Sequence, residues 1–87
     1  MKKYLVRWND GDTHAAILDI YGIRRLHRRI YHDKVKMQVC VWELAENSIF
    51  TQPNPVRIFY DWKFDKLSLF ALNGSLVEKT EVNSEVA

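Results

Sequence analysis

The chain has 87 residues with 13 Lys and Arg, 11 Asp and Glu and a formal net charge of +2; 47% of its residues are hydrophobic and 13% are aromatic. This length fits one domain, the apolar content excludes an intrinsically disordered body, and the single Cys40 excludes an intramolecular disulfide. No apolar stretch approaches the roughly 20 residues of a membrane-spanning helix. We therefore expect one compact domain over residues 1–80 and an acidic flexible tail over 81–87, in the cytoplasm and without membrane contact.

A hairpin is predicted at the start of the chain. Residues 4–8 (YLVRW) are rich in strand formers, and Asp10-Gly11 is a favoured pair for a two-residue turn. Such a turn would place Tyr4 opposite Ile17, with both on one apolar face. The second strand would end near Gly22, although its two alanines leave a helix as the alternative.

An amphipathic helix is predicted over residues 23–31. Ile23, Leu26 and Ile30 recur at intervals of three and four residues. The other side of this helix would carry Arg24, Arg25, Arg28 and Arg29. A helix this short is marginal in water, so we expect the apolar stripe to pack on the sheet and the four arginines to face solvent.

The second half of the chain alternates apolar and polar residues, as strands do. The clearest run is 35–42, and a second, aromatic-rich run over 56–64 is expected at the centre of the sheet. Residues 45–55 contain both prolines and are predicted to form a loop. Residues 65–74 fit a strand better than a two-turn helix, and Asn73-Gly74 predicts a turn into an edge strand.

No catalytic or metal-binding pattern is evident. The soft-ligand candidates are three histidines and one cysteine, and their spacing does not supply the paired ligands of a zinc site; they are His14, His27, His32 and Cys40. Cys40 lies within a predicted strand, where a small buried side chain is the ordinary role. Asp61 and Asp65 alternate with lysines and fit a solvated strand end. We expect no enzyme activity, no cofactor and no metal.

The distribution of charge is the strongest functional signal. Residues 24–36 hold six basic residues and one acid, a charge of +5, whereas the rest of the chain sums to −3. The planar guanidinium group of arginine donates paired hydrogen bonds to phosphate and carboxylate groups, and nearby aromatic side chains could stack on the unpaired bases of a nucleic acid. The predicted partner-binding residues are Arg24, Arg25, Arg28, Arg29, Lys34, Lys36, Tyr31 and Trp42. The alternative is a solvated face that keeps a small domain soluble.

A second candidate surface comes from the strand faces. If the alternating apolar sets turn inward, Trp42 and Phe59 remain on the opposite face of the sheet. Such residues are either covered by the protein itself or anchor a partner or a second copy of the chain.

Two resemblances are present. Residues 4–11 (YLVRWNDG) resemble the opening strand of chromo- and Tudor-type small barrels, over eight residues and without the aromatic cage, so no function follows. In being short, free of motifs and rich in aromatics, the chain is similar to the small regulators and inhibitors encoded by phages and plasmids.

These observations predict an α+β fold, with an antiparallel meander sheet of about five strands and one short basic helix; the alternative is an all-β small barrel. The predicted function is non-enzymatic. The chain would bind and regulate or inhibit a larger partner with an acidic surface, or a nucleoprotein complex that handles nucleic acid. Direct nucleic-acid binding by the basic patch is the alternative, an enzyme with an unrecognised site is a minor one, and a homodimer is an open possibility.

Overall fold

The computed structural model describes residues 2–34, 36–44 and 54–80. Within them the chain forms one helix and six strands. In chain order these are β1 (Tyr4–Asn9), β2 (Thr13–Leu18), α1 (Ile20–Asp33), β3 (Gln38–Glu43), β4 (Asn54–Asp61), β5 (Lys66–Ala71) and β6 (Leu76–Lys79). The α+β prediction with one helix on an antiparallel sheet is confirmed, and the barrel alternative is wrong because the sheet is open.

The sheet has the strand order β2-β1-β3-β4-β5-β6, and every neighbouring pair is antiparallel. Strands β3 to β6 follow one another as a meander. At the other end, β1 lies between β2 and β3, which therefore run parallel to each other and are joined by α1. The helix thus crosses over β1 and covers one face of the sheet, here called the inner face.

The sheet is strongly bent around this inner face. The Tyr4 hydroxyl on β1 donates a hydrogen bond of 2.6 Å to Oε1 of Glu78 on β6. In a flat sheet these two strands would be four spacings of about 4.8 Å apart, beyond the reach of the two side chains. The bend brings the ends of the sheet together without closing it into a barrel.

The hydrophobic core lies between the inner face and α1. It is built from the alternating strand residues that the sequence predicts to point inward, together with the apolar stripe of the helix. Its buried members are Tyr4, Val6, Val41, Val56, Leu67 and Leu69 from the strands and Ile20, Ile23 and Leu26 from α1.

The register of the first hairpin differs from the prediction by one residue. Tyr4 pairs with Leu18 instead of Ile17, because three residues and not two connect the strands. The side chain of Asn9 accepts from the Gly11 amide, and that of Asp10 accepts from the Asp12 amide, which holds the longer turn. Since side chains alternate between faces, this shift sends Ile17 to the outer face, where it is 55% exposed.

The helix begins three residues before the predicted start and ends two after the predicted end. Asp19 caps it by accepting a 2.8 Å hydrogen bond from the Gly22 amide, and Lys34 ends it in the left-handed conformation with φ 53°. The predicted second strand therefore stops at Leu18, short of Gly22. No helix among the described residues is long and apolar enough to cross a membrane.

The later strands follow the predicted alternation with different ends. Strand β4 stops at Asp61, so Trp62 and Phe64 lie in a turn and are exposed, whereas the sequence predicts a strand through residue 64. Residues 66–71 form a strand as preferred, and Gly74 lies in the turn before β6 with φ 93°. The predicted 45–55 loop is wrong at its end, because Asn54 and Pro55 begin β4. Residue 35, residues 45–53 and the 81–87 tail lie outside the described residues.

Candidate binding surfaces

The four helix arginines divide into two pairs with different surroundings. Arg28 donates from Nη2 to Oδ2 of Asp65 at 2.8 Å and from Nε to Oδ1 at 3.3 Å. Arg24 Nε lies 3.8 Å from the same carboxylate, and its guanidinium lies over the Tyr21 ring. In the described part of the chain, Arg25 and Arg29 form no ion pair and both are exposed. Arg28 thus faces solvent as predicted, with 42% of its side chain exposed, but it is already paired, whereas Arg24 is only 24% exposed and departs from the prediction.

Asp65 is the centre of a polar cluster in the β4–β5 turn. Its carboxylate accepts from Arg28 and also from the Tyr60 hydroxyl at 2.7 Å. Burial alone would raise the pKa of Asp65, but the hydrogen bonds from Tyr60 and Arg28 outweigh burial and hold this pKa below its ordinary value. Burial and the bond to Asp65 raise the pKa of Tyr60 to about 12. The cluster fixes the turn against the helix.

Aromatic rings make a second contact between the same two elements. Tyr31 of α1 stacks on Trp62 of the turn, with ring centroids 4.8 Å apart and planes 12° from parallel. Lys63 Nζ lies 5.7 Å from the centre of the Trp62 ring, and Lys66 Nζ lies 5.1 Å from the centre of the Phe64 ring. We call these five residues, Tyr31, Trp62, Lys63, Phe64 and Lys66, the aromatic–lysine surface.

Only Tyr31 of this surface is among the predicted site residues. The sequence signal for the others was an interrupted alternation: Asp61 and Asp65 bracket Trp62 and Phe64. Aspartate is common in turns, where its side chain bonds to nearby backbone, and Asp61 does accept from the Lys63 amide at 3.1 Å. Such a pair of aspartates favours a turn over a continuing strand.

The remaining basic residues of the predicted patch follow the helix. Lys34 is its C-terminal cap and is exposed, and Lys36 is exposed two residues later. Together, residues 20–34 and 61–66 hold seven basic and three acidic side chains, a net charge of +4. The helix and the β4–β5 turn therefore share one positively charged end of the molecule.

Trp42 is not part of that end. Val41 lies in the core, so the neighbouring Trp42 points to the outer face of the sheet, away from α1. The outer face instead holds a continuous apolar row across four strands. By the strand register, Ile17 lies opposite Leu5, Leu5 opposite Trp42 and Trp42 opposite Pro55.

More apolar side chains lie on this face outside the row, and Arg57 separates them from Pro55. Phe59 is 60% exposed, and Phe70 lies opposite Leu76. The outer face also carries four basic residues and one acidic one, by the same alternation: Arg7, Arg57, Lys66, Lys79 and Asp61. Among the described elements, no helix or strand packs on it. As predicted, Phe59 and Trp42 lie opposite the core.

The histidines and the cysteine do not converge. His27 is half-buried and its Nδ1 lies 3.0 Å from the Ile23 carbonyl oxygen; burial lowers its pKa. His14 stacks on Trp8 and contacts Asp10 at the hairpin turn. Cys40 is exposed on the outer face and not buried as expected. Over residues 2–34, 36–44 and 54–80, no group of three or more potential ligands could hold a metal ion.

An apolar hollow opens where β3 and β4 separate. These strands pair over three residue pairs only, from Val41 with Val56 to Glu43 with Asn54. Beyond them lies a cavity of about 400 Å³, bordered by His27, Arg57 and apolar side chains. His27 is the one side chain there that could transfer a proton near neutral pH, and no nucleophile lies beside it in the described lining.

Comparisons with protein families, curated proteins and solved structures give no match for this chain. The resemblance of residues 4–11 to small barrels therefore remains confined to β1 and the following turn. The two exposed surfaces, one basic and aromatic and the other apolar with basic residues, are the features that bear on function.

Proposed function

We propose that the protein is a small non-enzymatic regulator that binds a larger protein partner through the outer face of its sheet. The observation that carries this proposal is the apolar row of Ile17, Leu5, Trp42 and Pro55, together with Phe59 at 60% exposure. Apolar side chains left uncovered on one face of a small protein are typical of interaction sites, and aromatic residues are common energetic centres of interfaces.

The charges on the outer face indicate what kind of partner surface would be complementary. Four basic side chains and one acidic one lie on the same face as the apolar row, so a complementary surface has an apolar region with acidic groups beside it. Proteins that handle nucleic acid often carry such acidic sites, because acidic side chains bind the metal ions used in phosphoryl transfer. A regulator or inhibitor of a nucleic-acid-handling complex fits this chemistry.

Affinity capture from an extract of the native host, treated with nuclease, tests this proposal. The full chain and the variant Phe59→Asp are immobilised in parallel, and captured proteins are identified by mass spectrometry. Phe64→Asp is the matched control, because Phe64 is also highly exposed but lies in the β4–β5 turn. We expect the partner on the wild type and on the control, and its loss on Phe59→Asp.

Two results would contradict the regulator proposal. One is a set of captured proteins that does not change when Phe59 is replaced. The other is a concentration-dependent dimer on a sizing column that Phe59→Asp abolishes, because the outer face would then be the contact between two copies of this chain.

Direct nucleic-acid binding is the second candidate function. It is supported by the positively charged end of the molecule, where Arg25, Arg29, Lys34 and Lys36 are all exposed. Binding of this kind weakens steeply with salt, since each neutralised phosphate releases counterions. A gel shift at low salt tests it, and failure of DNA and RNA, single or double stranded, to bind at micromolar protein would reject it.

A further inference from the structure

We propose that the aromatic–lysine surface is a binding site for single-stranded nucleic acid, in which Trp62 and Phe64 stack on unpaired bases. This inference rests on the second candidate function, direct nucleic-acid binding, and specifies its site and its ligand class. Its aromatic residues are separate from the outer sheet face, and the two surfaces share only Lys66 among the residues named for them.

Exposure is the first observation. Phe64 is 67% exposed, Trp62 is 51% exposed and Tyr31 is 43% exposed, although the domain has a core that could bury aromatic rings. Tyr31 and Trp62 cover one face of each other, so the surface open to a base consists of Phe64 and the remaining face of Trp62, each with a lysine ammonium group nearby. Stacking on a nucleobase covers such a ring without requiring a particular base, because every base has a π face.

The placement of charge is the second observation. Lys63 Nζ lies over the Trp62 ring and Lys66 Nζ lies over the Phe64 ring, at 5.7 and 5.1 Å from the ring centres. Each ring thus has an ammonium group beside it that can move to the phosphate of a nucleotide stacked there. An aromatic ring paired with a cation matches the base and phosphate of one nucleotide, and this surface repeats the pair within five residues.

Rigidity is the third observation. The turn is tied to α1 by the Arg28 bonds to Asp65 and by the Tyr31–Trp62 stack, and to β4 by the hydrogen bond from the Tyr60 hydroxyl to Asp65. A ring held in place before binding loses little conformational entropy when a base stacks on it. The exposed Arg25 and Arg29 on the neighbouring helix extend the positive surface that a strand would follow.

The same features argue against duplex DNA and acidic protein as ligands. In a duplex the base faces are covered by their stacked neighbours, so the rings would have nothing to contact. A run of acidic residues such as polyglutamate would satisfy the lysines, but it has no flat rings to stack on Trp62 and Phe64.

Fluorescence anisotropy of a labelled thymidine oligonucleotide at low salt tests the site. We expect Trp62→Leu and Phe64→Ala each to weaken binding about 5- to 150-fold, the effect of losing one base stack. Trp62→Phe keeps a ring and should retain most of the affinity. Phe59→Ala is the matched control, because Phe59 is as exposed as these residues but lies on the outer face. Thermal unfolding of each variant confirms that the fold is retained.

The possible results separate the site from the candidate function. If Trp62→Leu and Phe64→Ala bind the oligonucleotide normally while the double variant Arg25→Ala/Arg29→Ala does not, the stacking site is wrong and nucleic-acid binding stands. If the wild type does not bind the oligonucleotide but shifts duplex DNA or RNA, the stacking site is wrong; if it binds none of the DNA and RNA ligands, nucleic-acid binding is wrong as well, and the outer-face proposal is unaffected. Equal binding of a duplex of the same length, or of polyglutamate, with the same loss in Trp62→Leu would overturn the assignment to single strands.

Discussion

The Arg28 guanidinium donates to both oxygens of the Asp65 carboxylate, through Nη2 at 2.8 Å and Nε at 3.3 Å, and so ties the helix to the β4–β5 turn. Asp65 itself has φ 54°, a left-handed conformation that aspartate and asparagine tolerate better than most residues. The sequence suggested that Arg28 would be available to bind a partner, but in the structure it holds the β4–β5 turn against α1. This pair also positions Trp62 and Phe64.

Replacing Asp65 by Asn removes the charge and keeps a residue suited to positive φ. We expect the free energy of unfolding at pH 7 to fall by about 0.5–1.5 kcal/mol, because the charge-assisted bonds to Arg28 and Tyr60 are weakened at a half-exposed site. Urea unfolding monitored by circular dichroism measures this change. Asp61→Asn is the control, since its side chain accepts from one backbone amide only, and an equal loss in both variants would contradict the role given to Asp65.

The loss of stability in Asp65→Asn should depend on pH. The pKa of Asp65 is lowered in the folded protein, so its contribution to stability is present above its ordinary value of 3.8 and is lost as the pH falls through the lower value of the folded state. The difference in unfolding free energy between wild type and Asp65→Asn should therefore be constant from pH 7 to 5 and shrink below pH 4. A difference that does not change down to pH 2 would show that the carboxylate charge is not responsible.

Tyr4→Phe should destabilise the bent sheet. In the wild type, the Tyr4 hydroxyl donates a 2.6 Å hydrogen bond to Glu78 on the far strand of the bent sheet. The variant leaves this partly buried carboxylate without that donor. We expect a decrease of about 1–3 kcal/mol in the free energy of unfolding. Tyr31→Phe is the control, because the removed hydroxyl lies on an exposed ring that keeps its stack on Trp62.

Burial, and then the bond to Glu78, raise the pKa of Tyr4 above its ordinary value of 10.0. Its contribution to stability is therefore present below pH 10 and lost as the pH rises further. The difference in free energy of unfolding between wild type and Tyr4→Phe, measured from pH 8 to 11, should become smaller above pH 10. A gap that widens above pH 10 would contradict the assignment.

Lys34→Gly should stabilise the helix. Lys34 ends α1 with φ 53°, a conformation that glycine adopts at no steric cost. We expect the free energy of unfolding to rise by about 0.5–1 kcal/mol from the relief of the left-handed conformation. The greater conformational entropy of glycine in the unfolded chain offsets part of this gain. Asp33→Gly, at the last helical residue, should lower it instead, and a melting temperature that falls in both variants would show that the cap is not strained.

Much of the fold follows from local pattern. The alternation of Val39 and Val41 predicted β3, and the spacing of Ile23, Leu26 and Ile30 predicted α1, because period two and period 3.6 each place apolar residues on one side of an element. The errors lie at element ends. The length of the first turn depends on side-chain bonds from Asn9 and Asp10, which a residue pair such as Asp10-Gly11 does not reveal.

The candidate site was less predictable than the fold. The sequence indicated a basic segment around α1, and the structure places that segment on an exposed end of the molecule. Which arginines remain exposed depended on Asp65, 37 residues after Arg28 along the chain. The aromatic–lysine surface depended on where β4 stops, since one more strand residue would have kept Trp62 in the alternation of the strand.

The sequence by itself determined the α+β class, most of the core-facing residues and the uneven charge, because periodicity and composition act through near neighbours in the chain. Only the tertiary structure decided that Arg28 pairs with Asp65, that Arg24 lies near the same carboxylate, and that Tyr31 meets Trp62. These relationships join residues distant in sequence, and they depend on the path of α1 over the bent sheet and on where β4 stops.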